Sequence, residues 1–196
     1  MNTNADHWER FLDPEVVRPS LFLATMFIAT FEILKDSVVD RIRNFYTDGW
    51  DENGPFVGPE YQSKVSSRNK STLYASLDWL REHEAIGQAD LITFEHLKKI
   101  RNQLAHQLFN VVTGQIESEH ASQFPVLVAL LRKLEVWWVV NLEIPTNPDY
   151  DGKEIDENGI VPGAVLSLQM LIEVASGNTE LLDQWRRART HGHTRA

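Results

Sequence analysis

The sequence predicts an all-α fold, a helical bundle of four principal helices followed by a C-terminal helical pair. Three observations lead to this prediction. Apolar residues recur at helical spacing through most of the 196 residues. No segment of convincing length alternates between polar and apolar residues as a half-buried strand does. Turn-forming residues are concentrated in two stretches, 47–58 and 143–163.

The first two helices are predicted from their end signals and from an apolar stripe. The first begins near Pro14 or Pro19, since proline suits the first turn of a helix, and extends to about Tyr46. Its stripe consists of Phe22, Phe27, Phe31, Leu34, Val38 and Ile42. The turn-rich residues 47–58 form a loop, and a second helix follows at about 70–84.

The third and fourth helices are predicted at about 90–111 and 121–142. Asp90 is a suitable N-cap for the third helix, and Gly114 lies just beyond its end. The fourth helix is apolar on nearly every side, and a helix of this kind is buried on every side. We therefore expect it to contribute to a subunit interface as well as to the core, and we interpret its Trp137-Trp138 pair in the same way rather than as a base-stacking platform.

The last part of the chain is predicted to be an acidic loop followed by two short helices. Residues 143–163 are rich in Pro, Asp, Asn and Gly, and the helices follow at about 162–175 and 179–188. We divide the chain into a helical bundle at 1–142 and a C-terminal region at 143–196 that packs on it, within one domain overall.

Charge, cysteine content and the length of apolar runs argue against several classes of protein and of site. A net charge of −9 argues against a chain that coats nucleic acid through bulk electrostatics. The absence of cysteine excludes disulfides, zinc–thiolate sites and cysteine nucleophiles. The longest apolar run, 21–31, is shorter than the roughly 20 residues of a membrane span. Because the first ten residues are also polar, we expect a cytoplasmic protein without membrane association.

A polar motif on the third helix is the candidate functional site. Arg101 and Asn102 are followed, one helical turn later, by His106. A guanidinium can hold a phosphate with two hydrogen bonds, and an imidazole can transfer a proton near neutral pH. Asn102 and His106 lie four residues apart, on the face opposite the apolar stripe, and Arg101 lies near the edge of that stripe. The stripe consists of Leu97, Ile100, Leu104 and Leu108.

This Arg-Asn-x-x-x-His pattern, inside a small all-helical domain, resembles the signature of the HEPN superfamily. The resemblance covers about residues 14–142 and implies a metal-independent endoribonuclease, in which the ribose 2′-OH attacks the adjacent phosphate. It implies that His106 acts as general base or acid and that Arg101 stabilises the charge on the phosphoryl oxygens. Asn102 would orient the imidazole or bind phosphate.

The resemblance also implies the partners and the biological setting. A homodimer would supply two imidazoles to an RNA substrate, whereas DNA lacks the 2′-OH and would not be cleaved. No cofactor and no metal are expected. The setting would be a bacterial toxin or phage-defence system, in which an antitoxin protein can be a partner. Toxins of this type often carry a tyrosine two residues after the histidine, where this chain has Leu108. Regulation through that tyrosine is therefore not expected.

The alternative is a non-catalytic HEPN-like module that binds proteins or RNA. The two hypotheses differ in what Arg101 and His106 contact. A catalytic pair should converge on an open cleft, whereas residues with a structural role should be engaged in internal salt bridges.

Overall fold

The computed structural model describes residues 3–52 and 54–192 and confirms the all-α fold. The α-helices are α1 (Thr3–Leu12), α2 (Pro14–Phe45), α3 (Pro59–Lys64), α4 (Thr72–Glu82), α5 (Gln88–Val112), α6 (His120–Trp138), α7 (Gly163–Ala175) and α8 (Glu180–Gly192). A hairpin is formed by β1 (Thr47–Asp51) and β2 (Gly54–Val57). A π-helical turn, Val139–Glu143, continues α6. The last four residues of the predicted C-terminal region, 193–196, lie outside the described residues.

The long helix α2 is the central element of the bundle. Asp13 caps it by accepting a hydrogen bond from the backbone N–H of Glu15 at 2.9 Å, and Pro14 occupies its first turn. It ends at Tyr46, as predicted. The buried side of α2 packs against α4, α5 and α6. It contains Phe27, Phe31, Leu34, Val38 and Ile42.

Three elements were not predicted. The loop expected at 47–58 is an antiparallel hairpin, closed by a 2.8 Å hydrogen bond from the Gly58 N–H to the Tyr46 carbonyl. Its strands are mostly exposed, so they lack the apolar alternation that identifies a strand. Helix α1 is short and polar, and it packs through Phe11, whose ring centroid lies 5.0 Å from that of Phe109 on α5. Helix α3 spans only six residues.

The apolar circumference of α6 is covered mainly by its own chain. Leu127, Leu131, Leu134 and Trp138 are almost fully buried, and α2, α5 and α7 pack around them. Helix α6 is therefore part of the core, as predicted, and its expected contribution to a subunit interface stays a prediction.

An uncovered apolar face occurs instead on α7. This helix buries Val165 and Leu168 but leaves the opposite side between 46% and 57% exposed. We call this side the α7 face, and it consists of Leu166, Met170, Leu171 and Val174. Leu166, Met170 and Val174 are spaced four residues apart, so they form one continuous stripe along the helix.

A buried carboxylate joins α6 to α2. Glu135 is only 1% exposed and accepts hydrogen bonds from the Ser37 hydroxyl and from Nη2 of Arg41, the latter at 2.6 Å. Nη1 of Arg41 donates to Glu143 at 2.9 Å. Partial burial lowers the pKa of Arg41, but its bonds to Glu143 and Glu135 outweigh that effect and raise it overall. The guanidinium therefore remains charged and compensates the buried anion.

Two helical segments pass a length and composition test for a membrane span, α2 and residues 157–175. This evidence is weak, because a core helix of a soluble protein passes the same test.

We predict that Arg41→Ala destabilises the fold, because it leaves Glu135 buried without its cation. Removing one partner of a buried pair costs about 3–5 kcal/mol, and we expect about 3 kcal/mol here because water screens the 36% exposed Arg41 side chain. The measurement is the free energy of unfolding in urea.

The double variant Arg41→Met/Glu135→Leu should recover most of that loss, since it removes the buried charge together with its partner. Lys64→Ala, which breaks the exposed pair with Glu60, is the control and should leave the urea midpoint unchanged. An Arg41→Ala midpoint equal to that of the wild type would contradict the proposed role of this pair.

Candidate functional site

Helix α5 presents the predicted motif on the expected side. Leu97, Ile100 and Leu104 are buried against the bundle, and His106 is exposed, which confirms the predicted orientation of the helix. Leu108 at the end of the stripe is only partly buried. The side chains of Asn102 and His106 are therefore available to a partner or a substrate.

Arg101 is engaged inside the chain. Its side chain is 30% exposed, and Nη2 forms an ion pair with Glu32 of α2. Nη1 donates a hydrogen bond to Oδ1 of the neighbouring Asn102 at 3.2 Å. Its Nε is buried and has no hydrogen-bond partner among the described residues. The guanidinium is thus held in a fixed position over the edge of the stripe.

The partner of Arg101 is a shared carboxylate. Glu32 also accepts a hydrogen bond from Lys35 at 3.0 Å. Partial burial raises the pKa of Glu32, but the hydrogen bonds from Lys35 and Arg101 outweigh it, and the net pKa lies below the ordinary value. Glu32 is therefore ionised at neutral pH and offsets part of the positive charge of Arg101.

His106 lies beside a break in α5. The next residue, Gln107, has φ −132° and ψ 25°, which are not helical values. Proline, glycine and inserted side chains are the usual causes of a kink, and neither proline nor glycine occurs in α5. The sequence therefore gives no signal for this break. No hydrogen bond or ion pair to the His106 ring occurs within the described part of the chain.

One subunit brings Arg101 and Asn102 together but does not enclose them with His106. Five cavities of about 450 to 750 Å³ open on the described surface, and none of these five is lined by the three motif residues.

A cavity that the sequence did not predict lies at the C-terminal end of α2. It has a volume of about 700 Å³ and collects aromatic rings from the ends of α2, α4 and α6. The rings belong to Phe45, Tyr46, Trp79, His83, Trp137 and Trp138. Trp138 is buried, as predicted for a core residue, whereas Trp137 is half-buried and lines the cavity. In the sequence, the doublet Trp137-Trp138 was the one feature that could have indicated this cavity. The other rings that line the cavity come from distant parts of the chain, so the doublet alone does not predict it.

Comparison with known proteins does not place the chain in a family. No family model matches the sequence, and no curated protein and no solved structure gives a significant match. The similarity to the HEPN signature therefore rests on Arg101, Asn102 and His106 and on the helical context.

The described residues also contain no group of three or more His, Asp or Glu side chains that could hold a metal ion. Independence from metals nevertheless remains a prediction about the reaction.

We predict that Glu32→Gln destabilises the protein at pH 7 and that the difference from the wild type shrinks in acid. A carboxylate with a depressed folded pKa stabilises the fold above its unfolded pKa, and this contribution is lost as the pH falls through the folded pKa. Melting temperatures of both proteins at pH 7 and near pH 3 measure the effect. Glu60→Gln, which alters an exposed pair, is the control. A difference that persists unchanged in acid would exclude this role for Glu32.

Proposed function

We propose that the chain is a metal-independent endoribonuclease that acts as a homodimer. The observation that carries the proposal is the position of His106. Its imidazole is exposed and unpaired within the described chain, and it lies one helical turn from the Arg101–Asn102 pair. An exposed titratable group and a fixed guanidinium suit the cleavage of a phosphodiester once a second subunit brings them together. The second subunit is needed because Arg101 and His106 are five positions apart in the sequence, which places them about 140° apart around α5.

The proposed reaction needs one base and one acid. The imidazole of one subunit takes the proton of the ribose 2′-OH, and the 2′-oxygen forms a bond to phosphorus. The bond from phosphorus to the 5′-oxygen breaks, and the imidazolium of the second subunit protonates that oxygen. The products are a 2′,3′-cyclic phosphate and a 5′-hydroxyl. Each His106 contributes about 10² to 10⁴-fold as a proton-transfer group.

Arg101 can bind the reacting phosphate without leaving Glu32. A guanidinium has five N–H donors, and two of them are used by Glu32 and Asn102. The Nη atoms each keep a second N–H for the non-bridging oxygens, where negative charge develops in the transition state. In this proposal Glu32 is a positioning residue, because it acts through Arg101.

The α7 face supports assembly into a dimer. Monomeric soluble proteins seldom expose large contiguous apolar patches, and such patches commonly mark contact surfaces. We therefore assign the α7 face as a candidate subunit contact, and the proposed reaction also requires the motif faces of two α5 helices to lie together in the assembled protein. A role as a toxin or phage-defence component, an antitoxin partner and a cytoplasmic location remain parts of the proposal that rest on the HEPN resemblance.

The alternative function is a non-catalytic module that binds a protein or RNA. The ion pair between Arg101 and Glu32 favours it, because internal neutralisation weakens the attraction of Arg101 for phosphate. The two functions differ in their dependence on His106, since a binding module does not need a proton-transfer group.

We predict that His106→Ala reduces RNA cleavage by at least about 10²-fold and leaves the melting temperature unchanged, because the imidazole is catalytic but exposed. His96→Ala, which alters another exposed histidine of α5, is the matched control and should retain activity. Leu104→Ala should instead destabilise the fold by about 2–5 kcal/mol, since Leu104 is fully buried.

The assay uses purified protein, single-stranded RNA and EDTA, and it identifies the new ends. Cleavage should continue in EDTA and should stop when a 2′-O-methyl group is placed at the cut site. A second experiment overexpresses the wild type and His106→Ala in cells and compares their effects on growth. If the wild type does not cleave RNA and the two proteins affect the cells equally, the enzyme function is rejected in favour of the binding module.

We predict that the wild type sediments as a dimer at tens of micromolar and that Met170→Glu sediments as a monomer, because a charge in the α7 face would be buried by the contact. Ile92→Glu, at an exposed apolar residue of α5, should remain dimeric. A monomeric wild type would contradict the proposed assembly, and a dimeric Met170→Glu would place the interface elsewhere.

A further inference from the structure

The aromatic cavity at the end of α2 has the size and shape of a small-molecule site. Its volume of about 700 Å³ lies within the roughly 300–1,000 Å³ that is usual for ligand pockets. Its floor is rigid, because Trp79 and Trp138 are buried and nearly parallel, with an interplanar angle of 11°. The indole N–H of Trp79 donates to the Tyr46 hydroxyl at 3.1 Å, which fixes the ring further.

The accessible walls of the cavity are also aromatic. Phe45 is 46% exposed although it belongs to the ring cluster, and Trp137 is half-buried. Their exposed ring surfaces are poorly hydrated, and a planar ring that stacked on them would remove this apolar surface from water.

His83 presents a hydrogen-bond acceptor to this cavity. Its ring stacks on Trp79 with a centroid distance of 3.8 Å, and Nδ1 lies 2.8 Å from the Trp79 carbonyl oxygen. A carbonyl oxygen can only accept, so Nδ1 carries a proton, and in the neutral form of the ring the lone pair therefore lies on Nε2. Stacking and hydrogen bonding together hold the imidazole in this orientation.

Asn141 provides a second acceptor in an unusual stretch of backbone. It belongs to the π-helical turn that continues α6, a form that is rare and frequently occurs at functional sites. Its Nδ2 donates to the Trp137 carbonyl at 2.9 Å, and Oδ1 has no partner among the described residues. Both acceptors thus belong to residues that line the cavity together with its aromatic walls.

The charges at the mouth cancel. Lys64 is paired with Glu60 at 2.6 Å, and Arg68 is paired with Glu82. Each cation is neutralised by its carboxylate, so the mouth exerts little net attraction on either an anion or a cation. The mouth therefore favours an uncharged ligand.

We propose that this cavity binds an uncharged nucleobase-type ring that carries an amino group. The ring stacks on Trp137 and Phe45, and its N–H groups donate to His83 Nε2 and Asn141 Oδ1. The proposal does not depend on the ribonuclease function. Glu32, which holds Arg101, and Phe45 are thirteen residues apart on α2, so the two sites are separated by about 20 Å along the helix.

Calorimetric titration of the full chain with adenosine and inosine tests the proposal. Adenosine has two N–H donors on its 6-amino group, whereas inosine has a 6-carbonyl and a single N1–H donor. Inosine can therefore satisfy only one of the two acceptors, and we expect adenosine to bind about 5- to 10-fold more tightly. Trp137→Ala should weaken adenosine binding by at least about 10-fold, because it removes the stacking surface. His83→Phe keeps a ring against Trp79 but should abolish the preference for adenosine over inosine.

Trp185→Ala is the matched control, since it removes an exposed indole of α8 outside the cavity and should leave binding unchanged. Melting temperatures confirm that each variant is folded. Three results would overturn the proposal: no binding of adenosine at about 5 mM, equal affinities for adenosine and inosine, or full affinity in both Trp137→Ala and His83→Phe. Stronger binding of tetramethylammonium than of adenosine would identify a site for organic cations instead and would also overturn it.

A nucleobase can come from a free nucleoside or from single-stranded RNA, and a further titration separates these sources. The probe is a 2′-O-methyl adenosine hexamer, which the proposed ribonuclease cannot cleave. If the hexamer binds more tightly than adenosine, and if Trp137→Ala weakens both, the cavity holds a base of an RNA strand. If adenosine binds and the hexamer does not, the cavity holds a free nucleoside. Both results support the nucleobase site.

Discussion

The buried carboxylate of Glu135 constrains the packing of the bundle. An ion in the interior is tolerated only when it is paired and hydrogen-bonded, and the register of α6 on α2 meets this requirement by bringing Ser37 and Arg41 to Glu135. The same register brings the end of α6 beside the end of α2. Phe45 and Trp138 then meet with ring centroids 6.3 Å apart, and the aromatic cavity forms between the helices. One electrostatic requirement inside the bundle thus determines the geometry of a surface site.

Helix α2 links the two candidate sites without joining them. It supplies Glu32 to the motif helix and Phe45 to the aromatic cavity, and a helix of this length is a rigid spacer between them. The ion pair of Arg101 with Glu32 is compatible with both proposed functions. For an enzyme it orients a phosphate-binding guanidinium, and for a binding module it is a structural bond. His106 distinguishes the two proposed functions, because its exposed imidazole stabilises nothing within one subunit but is required for proton transfer in an enzyme.

The helical architecture could be predicted because its signals are local. Asp13 and Pro14 start α2, and the apolar stripe of α5 predicts which of its sides is buried. The failures have local causes too. The strands at 47–51 and 54–57 are short and exposed, so they carry no apolar alternation. The break at Gln107 has no proline or glycine to announce it. Which helices cover α6 depends instead on how α2, α5 and α7 pack around it, and periodicity carries no information about that packing.

By itself the sequence determined the helical class, most helix boundaries and the outward orientation of His106, since each follows from the identity and spacing of nearby residues. The tertiary structure decided which residues meet. The Arg101–Glu32 pair joins residues 69 positions apart, and the Ser37–Glu135 bond joins residues 98 positions apart. The aromatic cavity likewise collects rings from three helices. Helical periodicity arises from bonds over four residues, so it carries no information about such distant pairings, which depend on how the helices pack.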